Sequence, residues 1–461
     1  MHIHILGICG TFMGGVAALA RAAGHEVTGS DANVYPPMST QLKELGVDIM
    51  EGYEPKHLDR VPDYVVVGNA MSRGNPAVEA MLDRRIPYCS GPHWLAEHVL
   101  YKRHVMAVSG THGKTTTAAM LAWILDDAGL APGFLIGGMP VNFAVSARSG
   151  ESDYFVVEAD EYDTAFFDKR AKFVHYRPQT LIINNLEFDH ADIYADIDAI
   201  YWQFHQLMRT LPSNGRVIVN AHDRNIANML AQGCWTPVEN FGLGDDSDWR
   251  ASFADAGERR IRIEHSNGES AEVAWKLGGA YNLENALAAV AAAKSAGVPL
   301  KQAADALSRF SGVKRRMERT ATVTDVAIYD DFAHHPTAIR RTIEGLKKRF
   351  PGQRIVIALE PRSNTMKMGV HKESLPKSLS EADLIFVYRP DELAADFDAS
   401  LGGLGKRLQS FGDYDELLAS LESKLLAGDQ MVFMSNGSFG ATRQKLTMAL
   451  QKKTPGDKPA A

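Results

Sequence analysis

The chain has 461 residues, 45% of them hydrophobic and 23% charged, with a formal net charge of −7 and a pI near 6.2. That length exceeds one ordinary core and predicts two to four domains; the acidic balance argues against nucleic acid or an anionic membrane as partner, and no uncharged apolar run nears the ~18 residues of a membrane span. Three cysteines, Cys9, Cys89 and Cys234, make neither a disulfide framework nor a metal-ligand spacing, and no signal peptide precedes the first strand pattern, so a cytoplasmic protein is expected.

Residues 2–8 read as a buried strand, followed by a glycine-rich turn over 7–15 and a helix over 16–23 closed by Gly24. A second strand, 26–28, ends at Gly29-Ser30-Asp31, and a third covers 64–67. This β-α-β order predicts a dinucleotide-type fold. A strict G-x-G-x-x-G is broken at 7–9, leaving Gly10, Gly14 and Gly15, while Asp31 stands where an acidic residue meets a ribose. Three readings stay open on these residues: a nicotinamide or flavin site, a site for another nucleotide diphosphate, or a structural half without ligand.

A new parallel unit starts near residue 104. The apolar run from His104 to Val108 leads into Gly110-Thr111-His112-Gly113-Lys114-Thr115-Thr116, and a helical pattern follows with Met120, Leu121, Ile124 and Leu125 on one face. Strand, glycine turn and helix N-terminus is the order of a phosphate loop. Backbone N–H groups close on phosphate oxygens, and the helix end adds positive potential. Lys114 neutralises the β- and γ-phosphates and Thr115 offers a hydroxyl to Mg²⁺. Val108 occupies the place where G-x-x-x-x-G-K-[ST] has its first glycine; the bland alternative is a glycine turn that binds nothing.

The strand over 154–157 runs into Glu158, Asp160 and Glu161, which puts carboxylates at the C-terminal sheet edge, where ligands bind. Mg²⁺ takes oxygen ligands, and Glu158 is the best candidate; solvated loop acids are the alternative. The next strand, 180–183, leads through Asn184-Asn185 to Asp189-His190, and His190 is a candidate for a second divalent ion. A strand follows at 216–219. Residues 249–275 alternate as a β-ribbon, with Arg260, Arg262 and Glu264 opposite in face to Ile261 and Ile263. A helix over 282–296 carries Asn282 and Asn285 near its start, where either could be a cap. The third unit, from about 313, has strand patterns at 326–329, 354–359, 384–388 and 431–435. His334-His335 with Asp330-Asp331 is a weaker metal candidate, because Pro336 follows and reads as a turn. Residues 453–461 are expected to be a disordered tail.

Taken in order, Gly110 to Thr115, Glu158, Asn185 with Asp189-His190, Asn282-x-x-Asn285, Arg315-Arg316 and Asp331-x-x-His334 resemble the signature of the Mur ligase family across nearly the whole chain. The resemblance implies a three-domain α/β architecture: a Rossmann-like UDP-sugar domain (1–103), a P-loop ATPase-like central domain (104–312) and a Rossmann-like C-terminal domain (313–452). It implies an ATP-dependent amide ligase working through an acyl phosphate. The segments Gly7 to Gly15, Gly29 to Ser39 and Glu360 to Lys367 favour the branch that joins UDP-N-acetylmuramate to L-alanyl-γ-D-glutamyl-meso-diaminopimelate in cell-wall recycling. The branch that adds L-alanine to the same sugar is the nearest rival. A nicotinamide oxidoreductase would leave the phosphate loop unexplained, and a non-catalytic nucleotide sensor would leave the paired acids unexplained.

Site roles follow from the resemblance. Lys114, His190, Arg316 and Asp331 are the expected catalytic residues. ATP is expected on Gly110, Thr111, His112, Gly113, Lys114, Thr115, Thr116, Asn282, Asn285, Arg316 and Asp331. Mg²⁺ falls to Thr115, Glu158 and His190. The UDP-sugar falls to Gly10, Thr11, Phe12, Met13, Gly14, Ser30 and Asp31, and the tripeptide to His334, Arg362, Lys367 and Arg389. Two family devices are missing. No lysine lies between Lys172 and Lys276 to be carbamylated beside a second metal, and no Asp-Asn-Pro-Arg segment occurs.

Overall fold

The computed structural model describes residues 1–34, 38–390, 393 and 397–453. Tyr35, Pro36 and Pro37 lie outside them, and so does the expected disordered tail beyond residue 453. Among the described residues three main sheets follow one another along the chain. The first joins β1 (His2–Leu6), β2 (Glu26–Asp31), β3 (Asp48–Glu51), β4 (Tyr64–Val67) and β5 (Tyr88–Ser90) in the parallel order β3-β2-β1-β4-β5.

The second sheet is built from β6 (His104–Ser109), β7 (Gly133–Leu135), β8 (Ala147–Arg148) and β9 (Tyr154–Glu158), then, after a separate hairpin of β10 (Asp163–Ala165) and β11 (Asp168–Ala171), from β12 (Thr180–Ile183), β13 (Arg216–Asn220), β14 (Val238–Gly242), β15 (Trp249–Phe253), β16 (Arg260–His265) and β17 (Ser270–Ala274). Its order is β17-β16-β15-β14-β13-β12-β6-β9-β7-β8. β6 lies between β12 and β9, all parallel, so three strand ends open on one edge. The ribbon at β15 to β17 pairs antiparallel, and its alternation holds: Ile261 and Ile263 are buried while Arg260 and Arg262 face out. The third sheet comprises β18 (Glu318–Val323), β19 (Val326–Asp331), β20 (Ile355–Leu359), β21 (Leu384–Tyr388), β22 (Leu408–Phe411) and β23 (Gln430–Met434), ordered β18-β19-β23-β20-β21-β22 and parallel except for β18.

Four helices position the site: α1 (Thr11–Ala22), α2 (Lys114–Asp127), α3 (Ala280–Ser295) and α4 (Pro336–Arg349). The central ones pack through small side chains. Buried Ala118, Ala119 and Ala122 of α2 join Ala286, Ala289 and Ala293 of α3 in one apolar cluster with Val108 and Ile182. Burial on both sheet faces makes strands such as Val105 to Val108 uniformly apolar rather than alternating.

Several local expectations shift. α1 begins at Thr11, not near residue 16, so Gly14 and Gly15 are helical rather than part of the turn. A Cβ on Gly15 would come within 2.1 Å of Leu135 Cδ1, and one on Gly14 within 2.3 Å of Met38 Sδ. These two glycines let α1 lie close to its neighbours. β2 runs on through Ser30 and Asp31 because Gly29 fits under Ile8, whose Cδ1 a Cβ would meet at 2.4 Å. Pro336 opens α4 instead of a turn: it takes the first helical position, where its missing N–H costs nothing.

Candidate active site

A cleft of about 1680 Å³ lies where the three sheets meet. Thr11 and Phe12 wall it from the first unit, the phosphate loop, Glu158 and His190 from the second, and Asp331, His334 and Arg362 from the third.

Val108 is a fully buried β6 residue paired between Ile182 and Glu158, so the loop starts only at Gly110. Gly110 has φ +123°, and a Cβ there would meet the Asn185 carbonyl at 2.9 Å. Gly113 has φ +82°, and its Cβ would meet Asn285 Oδ1 at 2.3 Å. Both positions therefore demand glycine. Asn185 Oδ1 accepts from the His112 N–H at 2.7 Å. Asn184 Nδ2 donates to Thr117 Oγ1 at 3.0 Å, and Thr117 Oγ1 donates to Asn285 Oδ1 at 3.1 Å. Asn282 does not cap α3: the cap is Gly279, and Asn282 Nδ2 donates back to the Gly278 carbonyl at 2.7 Å. Asn285 thus braces the phosphate loop, and Asn282 bonds it in turn, Asn285 Nδ2 donating to Asn282 Oδ1 at 3.3 Å.

Charge is arranged in three groups. Thr115 Oγ1 donates to Glu158 Oε1 at 2.9 Å, and the Gly137 N–H reaches Glu158 Oε2 at 2.7 Å. Arg316 crosses from the third unit and donates from Nη2 to Thr115 Oγ1 at 3.0 Å, its guanidinium lying 4.7 Å from the Phe332 ring centre. The second group centres on Glu161, which the sequence placed among the sheet-edge acids without singling it out. Its carboxylate accepts from Lys114 Nζ at 2.8 Å and lies 3.2 Å from His190 Nε2. Lys114 also donates to the Gly110 carbonyl at 2.7 Å. Burial works against charge on Lys114, but Glu161 and Asp160 outweigh it and hold the ammonium pKa up. For Glu161, burial is likewise outweighed, by Lys114 and His190, and its pKa is lowered. His190, with φ +58°, has its pKa raised because the Glu161 bond overrides burial.

A third group joins two units. His112 Nε2 lies 3.1 Å from Glu187 Oε2, which also accepts from Thr337 Oγ1 at 2.7 Å and lies 3.5 Å from His335 Nδ1. Asp189 Oδ1 accepts from Thr365 Oγ1 at 3.0 Å. Asp331 accepts from Thr342 Oγ1 at 3.0 Å and from the Met317 N–H at 3.3 Å, and burial raises its pKa despite Arg316. His334 Nδ1 bonds the Phe332 carbonyl at 2.9 Å, and burial drops its pKa to about 4. The suggested His334-His335 and Asp330-Asp331 metal set is thus divided: Asp331 and His334 are each engaged elsewhere, and Asp330 faces Arg443 at 3.4 Å.

The first unit divides as well. Thr11 and Phe12 line the cleft, with Lys172 Nζ 5.7 Å from the Phe12 ring centre and 5.3 Å from that of Tyr162. Gly10 caps α1, and Met13 and Gly14 are buried beneath. Ser30 is fully buried between His4 Nε2 and His57 Nδ1, each 2.9 Å away, so its side chain supports the sheet. Asp31 ties the glycine turn, accepting from the Cys9 N–H at 2.8 Å and the Asn33 N–H at 2.9 Å. Of the four peptide candidates, His334 and Arg362 line the cleft, and Lys367 and Arg389 are not among its walls. Arg389 pairs at 2.9 Å with Asp398, both well exposed.

Three family models match the chain in series: the Mur ligase family catalytic domain over residues 2–103, the Mur ligase middle domain over 108–293 and the Mur ligase glutamate ligase domain over 315–437. The chain is 51% identical over 457 residues to the UDP-N-acetylmuramate–L-alanyl-γ-D-glutamyl-meso-2,6-diaminoheptandioate ligase of Escherichia coli (strain K12), covering 98% of this chain and 99% of the relative. A UDP-N-acetylmuramate–L-alanine ligase of Psychrobacter sp. is 30% identical, over 96% and 94%. Among solved structures, a murein peptide ligase of Psychrobacter arcticus superposes with a TM-score of 0.78 at 48% identity, covering 99% of this chain and all of the other.

Proposed function

The chain belongs to the Mur ligase family, and from that premise we propose that it joins UDP-N-acetylmuramate to L-alanyl-γ-D-glutamyl-meso-diaminopimelate at the cost of ATP, releasing ADP and phosphate. The observation that carries this reading is the meeting of phosphate loop, acids and first-unit glycine turn in one cleft, in a chain half identical to a tripeptide-adding relative along its whole length. The domains divide in this reading at 1–103, 104–312 and 313–452, holding the nucleotide sugar, ATP and the peptide amine respectively. The reaction is assigned to the cytoplasm, where ATP is made; Cys9, Cys89 and Cys234 are free, and no helix among the described residues is long and apolar enough to cross a membrane.

A carboxylate resists attack because its charge repels the nucleophile. The γ-phosphoryl of ATP passes to the lactyl carboxylate, an oxygen–phosphorus bond forming as the bond to ADP breaks. The peptide amine then adds to the acyl carbon, gives up its proton and expels phosphate. The protein's task is positioning and charge neutralisation. Lys114 meets the β- and γ-phosphates after exchanging its Glu161 contact for them. The loop N–H groups hold the phosphates at the start of α2. Thr115 and Glu158 offer adjacent oxygens of the hard type Mg²⁺ prefers, and His190, now held by Glu161, lines the same cleft as a nitrogen donor. When bound there, Mg²⁺ would screen the phosphate charge. Asp331 and Arg316 reach ATP from the third unit.

Phosphate release with ATP and UDP-N-acetylmuramate, offered either the tripeptide or L-alanine, tests the reading. The tripeptide should be preferred. Preference for L-alanine would assign the other branch, and NAD(P)H-dependent absorbance change without phosphate release would remove the ligase reading altogether.

A further inference from the structure

We propose that His112, Glu187 and His335 form a site for a zinc-class divalent cation that ties the third unit to the central one. The three come from separate places: the phosphate loop, the segment after β12, and the cap of α4. One donor atom from each lies within 4.8 Å of the others. Glu187 Oε2 is 3.1 Å from His112 Nε2 and 3.5 Å from His335 Nδ1. Ligands about 2.0–2.1 Å from a tetrahedral zinc are separated by roughly 3.3 Å, so this spacing needs little adjustment.

Donor chemistry narrows the ion. Two imidazoles and one carboxylate suit zinc and its neighbours, whereas Mg²⁺ selects oxygen and keeps its waters. This set is therefore distinct from Thr115, Glu158 and His190. Burial keeps the His335 ring neutral, leaving a nitrogen lone pair that now accepts from the Thr337 N–H at 3.2 Å and would turn to the cation. Glu187 has two oxygens, so Thr337 Oγ1 and a cation can both be served. The His371 ring stands edge-on to His335 at 4.5 Å, and its buried Nε2 has no hydrogen-bond partner among the described residues. It is placed to take up a cation-bound water, as outer-shell groups commonly do.

The consequence is mechanical. With the cation bound, α4 and the phosphate loop are held together, and opening of the cleft for product release is opposed. Full-length protein, stripped with chelator and kept in excess Mg²⁺, is titrated with Zn²⁺ and in parallel with Co²⁺ as a spectroscopic probe. One Zn²⁺ per chain should survive gel filtration, and Co²⁺ should show the visible bands of tetrahedral coordination. His335→Gln and Glu187→Gln should each weaken binding by roughly tenfold or more, the loss typical even of outer-shell changes. His190→Gln should leave it intact. Circular dichroism checks that each variant folds, and the two ligand substitutions stand independently. Absence of stoichiometric Zn²⁺, or binding lost in His190→Gln and retained in His335→Gln, overturns the proposal. Chelator-reversible slowing of phosphate release is the further expectation; it rests on the ligase reading, which the stoichiometry does not.

Discussion

Replacing Glu161 by Gln tests the electrostatic centre of the cleft. The Glu161 and Lys114 side chains are 4% and 13% exposed, and the pair is 2.8 Å apart. Removing one partner of a buried ion pair costs about 3–5 kcal/mol, mainly by stranding the other charge. Lys114 retains its bond to the Gly110 carbonyl, so the lower end applies, and about 3 kcal/mol lowers the Tm of a unit this size by about 6–12 °C. The pH dependence has a definite sign. Glu161 has its pKa lowered on folding, so its contribution is complete above the ordinary carboxylate range and fades as pH falls through the folded value. The Tm gap between wild type and variant should thus be full at pH 7 and shrink in acid. His190, whose pKa Glu161 holds up, should lose its proton at lower pH in the variant. The acid limb of the pH–rate profile for phosphate release then moves to lower pH. Thermal unfolding and that profile are the assays. A Tm within about 2 °C of wild type, where roughly 6 °C or more is expected, together with an unmoved limb, would refute the reasoning.

Lys114→Ala should lower turnover by about 10²–10³-fold, the scale of losing one donor aimed at developing charge; near-normal phosphate release would remove the phosphate-loop assignment. Asp31→Ala frees the Cys9 and Asn33 N–H groups of the glycine turn and should raise KM for the nucleotide sugar about tenfold, one charge-assisted hydrogen bond, with KM for ATP unchanged. An effect on ATP alone would contradict the role given to the first unit. Buried His4 has a pKa pushed down to about 3 by burial, so its neutral ring supports folding fully above pH 6.5, and that support is lost as pH falls toward the folded value. Urea unfolding should show His4→Gln losing about 2 kcal/mol less stability than wild type between pH 7 and 5. Equal losses would reject it.

What the sequence made legible was mostly local. A strand, a glycine turn and a helix N-terminus are neighbours in chain and in space, so Gly110 to Thr115 could be read directly. The same holds for Glu158 and His190, which strand ends deliver to one sheet edge. Glu161 is different. Only the folded geometry shows that, of Glu158, Asp160 and Glu161, it is Glu161 that bonds Lys114. For Ser30 and Gly14, motif position says nothing of burial: the Ser30 side chain is enclosed by two histidines, and a Cβ at Gly14 would meet Met38. Glu187, Thr337 and Thr365 were beyond reach, since their partners are brought by a different unit.

The contacts across units bear on how ATP enters. Arg316 donates to Thr115, Thr337 to Glu187, Thr365 to Asp189 and Arg341 to Glu284 at 2.9 Å. Thr115 is the same hydroxyl assigned to Mg²⁺, and Lys114 is held by an acid in the place of a phosphate. The groups that would meet the nucleotide are thus already satisfied by one another. A bare Lys114 ammonium and bare carboxylates in so buried a cleft would each carry a desolvation penalty of several kcal/mol. Mutual pairing avoids that penalty, and ATP with its cation supplies both signs of charge together. On the proposed reading, entry would be an exchange of partners rather than the burial of bare charges. Lys114 would leave Glu161 for phosphate, and Thr115 and Glu158, now bonded to each other, would be the residues that hold the cation. Arg316, which donates to Thr115 from the third unit, would then also have to change partner, so on that reading filling of the phosphate loop would be coupled to the third unit.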